Sequence, residues 1–291
     1  MPYDSFSAEH LVRLDQTHVP EDVEHNLARL LTERPRKLHI SLSYDPEGSV
    51  LFEELCGQPE YYLTRTEVQL LRKEGAAIVD AASPETIVDL GCGNFEKTQL
   101  LIHEAVKRTR NVVFHPCDID GDIIAKSLPH LQHFYGGAVH ARGLVGSFEH
   151  CLDYLQAADD RRLFTFIGST YGNLTPEERG SLLAALSRTM GDRDSFLLGI
   201  DLVKSPSLLE AAYNDKAGCI RRSMMRMLIN LNEEYGADFD LNRFDHESRY
   251  LPAERKVVSY LISKQAQVVR IPRLDLTLDL AEGERIEAEI R

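Results

Sequence analysis

The apolar positions of this chain change rhythm twice. Over roughly the first sixty residues they recur at helical spacing with loops between, as in "PEDVEHNLARLLTER". Thr64-Arg65-Thr66-Glu67 then opens an apolar-periodic stretch that runs to about Ala82. Its Thr-x-x-Glu spacing is that of a capping box and predicts a helix start there. From Thr86 short apolar runs alternate with helical patterns: "TIVDLG", a helix near 96–109, "NVVFHPCDID", a helix near 121–133, "AVHARGLVG", a helix near 148–157 and "LFTFIGS". "TPEERGSLLAALSRTM" follows, with a second capping box and Pro176 in the first turn, and then "SFLLGID". Strands alternating with helices stack as βαβ units, which predicts a mainly parallel, doubly wound sheet. After Asp201 the alternation stops. Two helical stretches (about 206–214 and 217–235) precede several strand-like runs between about 244 and 290. This second region reads as a separate lobe that folds together with the N-terminal helices.

Composition narrows the chemistry. The net charge is −13, and no dense Lys/Arg cluster exceeds short pairs such as Arg221-Arg222. Nucleic acid and anionic membranes are therefore not expected partners. No apolar run approaches the ~20 residues that span a bilayer. The opening "MPYDSFSAEH" lacks the basic and apolar regions of a signal peptide, so a cytoplasmic location is expected. The cysteines (Cys56, Cys92, Cys117, Cys151, Cys219) are scattered and odd in number, which fits free thiols better than disulfides. No Cys-x-x-Cys, His-x-His or His-x-x-x-His spacing occurs, so no metal is expected.

The stretch "VDLGCGNFEKT" (88–98) imitates three cofactor loops. A phosphate-binding loop needs Gly before Lys-Thr, and a dinucleotide fingerprint needs a third Gly three residues after Gly93. Glu96 occupies both positions, and its carboxylate repels phosphate. S-adenosylmethionine carries no phosphate and fits better. A Gly91-x-Gly93 turn lets the backbone approach the donor's amino-acid end, Lys97 can pair with its carboxylate, and Asp118 in "CDID" can bind both ribose hydroxyls. The bland alternatives are a glycine turn that serves shape alone and a "DID" that caps the next helix.

Longer segments add to this. "YDPEGSVLFEELCGQPEYYLTRTEVQLL" (44–71), "DLGCGNFEKT" (89–98), "CDID" (117–120), "GSFEH" (146–150), "IGSTYGNLTPEE" (167–178), "LLGIDLVKSPSLLEAAYNDKAG" (197–218) and "FDHESRY" (244–250) occur in this order. Together they resemble the histidine-specific methyltransferases of ergothioneine biosynthesis, which trimethylate the α-amine of histidine to histidine betaine. The resemblance implies an α/β fold: a Rossmann-like class I methyltransferase sheet with a second, smaller α+β substrate-binding domain. The corresponding division is 1–63 as a helical segment contributing to the substrate domain, 64–202 as the S-adenosylmethionine-binding domain and 203–291 as the substrate-binding domain.

The resemblance also assigns residues. Tyr44, Gly91, Gly93, Lys97, Asp118, Ser147 and Phe148 are expected at the methyl donor, with Ser147 standing where family members usually have Asp. Tyr61 in "PEYY", Asn173 in "YGNL" and Tyr213 in "AAYND" are expected at the amino-acid substrate, with Tyr44 and Tyr61 nearest the chemistry. The ring-binding Glu-x-Ser step corresponds to Glu289 and Arg291, with Arg in place of Ser. An arginine there would pair with Glu289. Three readings follow: α-N-methylation of histidine, the same chemistry on another aromatic or modified amino acid such as tyrosine or a tryptophan derivative, or a non-catalytic binding homologue. The assembly expected is a monomer or weak homodimer acting on a small molecule.

Overall fold

The computed structural model describes residues 10–14, 21–109, 111–156 and 158–290, with the side chains of all but 21–23, 289 and 290. In chain order, strand β1 (Leu11–Arg13) leads to α1 (Glu21–Thr32), β2 (Arg36–Lys37), α2 (Pro46–Cys56) and α3 (Tyr62–Ala82). Then come β3 (Thr86–Leu90), α4 (Thr98–Val106), β4 (Val112–Asp118), α5 (Gly121–Tyr135), β5 (Val139–Ala141), β6 (Gly143–Val145), α6 (Phe148–Leu155), β7 (Arg162–Phe166), α7 (Pro176–Thr189) and β8 (Ser195–Leu198). The remainder is α8 (Pro206–Tyr213), α9 (Cys219–Tyr235), β9 (Phe244–Leu251), β10 (Lys256–Ser263), β11 (Gln267–Ile271), β12 (Leu276–Leu280) and β13 (Arg285–Ile290).

Two compact units result. The first comprises Met1–Gln16 and Leu63–Asp201, the second Thr17–Tyr62 and Leu202–Arg291. In the first, a sheet of order β1-β6-β4-β3-β7-β8 is parallel throughout, with β5 also pairing β4. Strands β3 and β7 are buried at every position, as expected of a parallel strand covered on both faces. Their side chains alternate between two cores. Ile87 and Leu163 join Phe114, Leu101 and Ile124 on one face, while Val88, Phe164 and Phe166 join Cys117, Leu144 and Leu182 on the other. The chain winds outward from β3 through β4 to β6, then returns to β7 on the other side of β3. That reversal marks the carboxyl ends of β3 and β7 as the place for a ligand crevice.

Two readings of the N-terminal part need correction. β1 belongs to the parallel sheet, with Leu11 opposite Gly143 and Val12 opposite Leu144, rather than to a helical segment of the second lobe. A three-residue strand is too short to show a period, and its place depends on a distant glycine. A Cβ on Gly143 would lie 2.8 Å from Leu11 Cδ1 and 2.6 Å from Ile124 Cγ2. Secondly, α3 starts at Tyr62, so Thr64-Arg65-Thr66-Glu67 lies inside the helix and Glu67 is used elsewhere. The second capping box forms as read: Thr175 Oγ1 accepts from Glu178 N at 3.2 Å, and Glu178 Oε2 accepts from Thr175 N at 2.7 Å. "AVHARGLVG" divides into two short strands, β5 and β6, rather than one.

The second unit is built on a sheet of order β2-β13-β10-β9, with a separate β11-β12 hairpin. β10 runs antiparallel to both neighbours, and β2 joins β13 in parallel. Helix α9 buries Ile220, Met224, Met227, Leu228 and Leu231, the apolar stripe of an amphipathic helix. From the same helix Arg226 reaches Asp45 at 2.7 Å, fixing the start of α2, where Asp45 caps Gly48 N at 2.7 Å. Among the described residues no helix is long and apolar enough to cross a membrane.

Candidate functional site

The loop after β3 is folded back onto the end of β4. Gly91 N and Cys92 N both donate to the Cys117 carbonyl, at 2.8 and 3.1 Å. Gly91 and Gly93 have φ of +70° and +51°, a left-handed conformation that glycine adopts without a Cβ penalty. Phe95, also left-handed at φ +57°, drops its ring into the core against Phe114 and anchors the loop. Gly93 N donates to Asp118 Oδ2 at 3.0 Å, and Asp120 N donates to Asp118 Oδ1 at 3.1 Å. Burial pushes the Asp118 carboxyl above the ordinary aspartate range. A Cβ on Gly91 would touch Phe148 and Phe166 at 3.7 Å, and those two rings pack edge-to-face with centroids 5.0 Å apart. Gly91, Gly93, Asp118 and Phe148 are thus brought together at the carboxyl ends of β3 and β4.

Ser147 and Lys97 have local partners. Ser147 is the N-cap of α6, accepting from His150 N at 3.3 Å. Lys97 Nζ lies 2.8 Å from Glu67 Oε2, and Glu67 Oε1 accepts from Gly168 N at 3.0 Å. Thr98, which imitated the threonine of a phosphate loop, is buried and donates to Asp89. Thr165 donates to the other Asp89 oxygen at 2.7 Å. Asp89 therefore ties β3, β7 and the start of α4 beneath the loop. Burial raises its carboxyl to about 6 despite these two hydroxyl donors.

Of the residues expected at the acceptor, Asn173 belongs to the first unit and the others to the second. Asn173 ends the 3-10 turn Thr170–Asn173, entered through Gly168 and Ser169, both left-handed at φ +97° and +62°. Arg179 from α7 donates to the Tyr171 and Gly172 carbonyls at 3.3 and 3.1 Å and stacks over the Tyr171 ring. In the second unit Tyr61 is 1% exposed and meets Tyr213 edge-on, with centroids 6.0 Å apart and planes at 84°. Phe52 meets Tyr61 in the same way at 6.3 Å. Tyr44 follows the 3-10 turn Ile40–Ser43 and is exposed.

The Tyr213 backbone is tied to the second sheet. Its carbonyl accepts from Ser248 Oγ at 2.9 Å, and the Ser248 and Ser259 hydroxyls lie 2.7 Å apart. The Asn214 side chain splints α8 to β9: its Nδ2 donates to Ser248 O and its Oδ1 accepts from Ser248 N, both at 2.9 Å. Ser259 pairs in register with Ser248 on one side and Glu289 on the other, so the three form one row across the sheet. Arg291 lies outside the described residues. Sequence reading missed Glu67, Asn214 and the Ser248–Ser259 pair. "TRTE" and "FDHESRY" contain two of these four, Glu67 and Ser248, but nothing in their spacing announces a partner so far along the chain.

The family model described as "Histidine-specific methyltransferase, SAM-dependent" matches residues 22–290. The histidine N-alpha-methyltransferase of Mycobacterium tuberculosis (strain CDC 1551 / Oshkosh) is 37% identical over 278 residues, covering 94% of this chain and 86% of the relative. The histidine N-alpha-methyltransferase of Mycolicibacterium smegmatis is 38% identical over 260 residues, covering 89% and 80%. More distantly, the 4-dimethylallyltryptophan N-methyltransferase easF of Claviceps purpurea is 25% identical over 213 residues, covering 70% and 62%. Sheet order, the glycine loop after β3 and the family match agree on a Rossmann-like class I methyltransferase fold. The chain belongs to the histidine-specific, S-adenosylmethionine-dependent methyltransferase family, and its methyl donor is S-adenosylmethionine.

Proposed function

We propose that the protein methylates the α-amine of free L-histidine, carrying it to trimethylhistidine. The observation that carries this reading is the similarity to a histidine N-alpha-methyltransferase along 94% of the chain. The donor loop fits S-adenosylmethionine on its own geometry. The left-handed Gly93, beside which a Cβ would meet open space, leaves the loop backbone accessible to a ligand, and the Asp118 carboxylate, steadied by Gly93 N, suits a pair of ribose hydroxyls. In this reading Ser147 and Phe148 hold the adenine, Tyr44 lies by the donor, and Lys97 binds the donor carboxylate. When bound, the donor supplies an electrophilic methyl group on a sulfonium.

The protein's task is then to aim an amine. Asn173, Tyr61 and Tyr213 are neutral hydrogen-bonding groups, suited to holding an amino acid by its carboxylate and amine. A close carboxylate would favour the protonated, unreactive amine; an amide and two phenols do not. No protein nucleophile is required, because the amine brings its own lone pair, and positioning supplies much of the rate. In this reading Glu289, whose backbone is in register with Ser259, accepts the ring N–H of the substrate.

The test is direct. The protein is incubated with methyl-labelled donor and each of the twenty amino acids, together with tryptophan derivatives, and products are identified by mass. Mono-, di- and trimethylhistidine are expected. Product from tyrosine or a tryptophan derivative but not from histidine would move the assignment to another aromatic amino acid. Tight donor binding with no product from any substrate would make the chain a silent homologue.

A further inference from the structure

We infer that Glu67 is a positioning residue for both halves of the reaction: one carboxylate sets the Lys97 ammonium and the turn that carries Asn173. The inference rests on the reading above, in which Lys97 serves the donor and Asn173 the acceptor.

The geometry is specific. Glu67 projects from α3, and its two oxygens divide their work, Oε2 on Lys97 Nζ at 2.8 Å and Oε1 on Gly168 N at 3.0 Å. The Lys97 and Glu67 side chains are 20% and 17% exposed, so this is not a solvated surface pair. Two glycines clear space for the charged ends. A Cβ on Gly199 would lie 2.3 Å from Glu67 Oε1, and one on Gly168 would lie 2.6 Å from Lys97 Nζ. The ends of β3, β7 and β8 therefore all converge on one carboxylate.

The consequence for the turn follows from how it is held. Its far side is gripped by Arg179 through the Tyr171 and Gly172 carbonyls. Its near side is gripped by Glu67 at Gly168, where the chain turns left-handed twice before reaching Asn173. The Glu67 grip is shared with the loop that carries Lys97. A lysine ammonium has three donors, and Glu67 directs one of them, which aims the other two. Lys97 is thereby an oriented donor rather than a loose charge.

Three single variants and one double variant test this: Glu67→Gln, which keeps an acceptor for Gly168 N but loses the charge; Glu67→Met, which keeps volume and loses both; Lys97→Met; and Glu67→Gln combined with Lys97→Met. Affinity for S-adenosylhomocysteine is read by calorimetry, and KM and kcat are read with histidine. Glu67→Gln is expected to weaken S-adenosylhomocysteine by about tenfold while histidine KM stays near wild type, in line with loss of a charge-assisted bond. Glu67→Met is expected to weaken S-adenosylhomocysteine as much and to raise histidine KM several-fold as well. Lys97→Met should weaken only S-adenosylhomocysteine, and the Glu67→Gln/Lys97→Met double variant should bind it no worse than Lys97→Met, the non-additivity of residues acting as a unit. Unchanged or tighter S-adenosylhomocysteine binding by Glu67→Gln overturns the inference, even if Glu67→Met fails to fold. So does a folded Glu67→Met that leaves histidine KM at its wild-type value. Lys97→Met binding S-adenosylhomocysteine like wild type would instead refute the donor role of Lys97, a separate failure of the underlying reading.

Discussion

The Asp118 carboxylate accepts the Gly93 N–H at 3.0 Å, so the acidic end of β4 and the glycine loop after β3 are held as one piece. Removing the carboxylate loses the proposed ribose acceptor and leaves a loop N–H without its partner. Asp118→Ala is expected to weaken S-adenosylmethionine by tenfold or more, by loss of charge-assisted bonds. Asp118→Asn should fall between the variant and wild type. Burial raises this carboxyl, and its ionised form is the better acceptor. Donor affinity should therefore improve as pH rises out of the acid range in the wild type and stay flat in Asp118→Asn, measured by titration calorimetry across pH.

Asn173 and Asp118 divide the two substrates between them in the proposed function. Asn173→Ala is expected to raise the KM for histidine by at least tenfold while S-adenosylhomocysteine affinity changes less than twofold, consistent with loss of a polar substrate contact. Donor affinity falling with histidine KM unchanged would reverse the assignment.

Asp89 links folding to pH. Its carboxyl stands at about 6 in the folded chain against an ordinary 3.8, so between those values the folded state binds more protons than the unfolded one. Stability from this group is present below pH 4 and is lost as pH rises through 6, by up to about 3 kcal/mol from the size of the shift. Asp89→Asn removes that dependence. The stability difference between variant and wild type, followed by urea unfolding from pH 4 to 7, should shift in the variant's favour with rising pH. A flat difference would contradict a buried, proton-binding Asp89.

Tyr61 separates packing from chemistry. Its ring is buried between Phe52 and Tyr213. Tyr61→Ala is expected to cost about 3–5 kcal/mol in stability, the range for emptying a large aromatic site. Tyr61→Phe keeps both edge contacts and should unfold within about 1 kcal/mol of wild type, since only the hydroxyl is removed. If Tyr61 meets the substrate amine, Tyr61→Phe lowers kcat despite that stability. Equal kcat would leave the residue a core aromatic.

What could be read along the chain was what depends on near neighbours. Alternating strand and helix patterns between Thr86 and Asp201 predicted the parallel sheet, because burial on both faces forces continuous apolar strands such as "TIVDL". Thr175-Pro-Glu-Glu178 predicted the start of α7, because a cap is made within one turn. Glu96 alone argued against a phosphate cofactor, and it stands exposed on the loop. The family motifs identified the chemistry, since they mark backbone turns and side chains within short windows.

Tertiary structure decided where those windows meet. The same Thr-x-x-Glu spacing that caps α7 does no capping at Thr64–Glu67, because α3 begins earlier and Glu67 is drawn 30 residues on to Lys97 and 101 residues on to Gly168. Thr98 looked like a ligand-binding threonine and is instead buried on Asp89. β1 is fixed by the space that Gly143 leaves for Leu11, and the row of Ser248, Ser259 and Glu289 exists only once three strands are in register. Local propensity acts over a turn or a pleat. Which strand ends converge is set by burying the whole apolar surface at once, and no stretch of the sequence carries that information by itself.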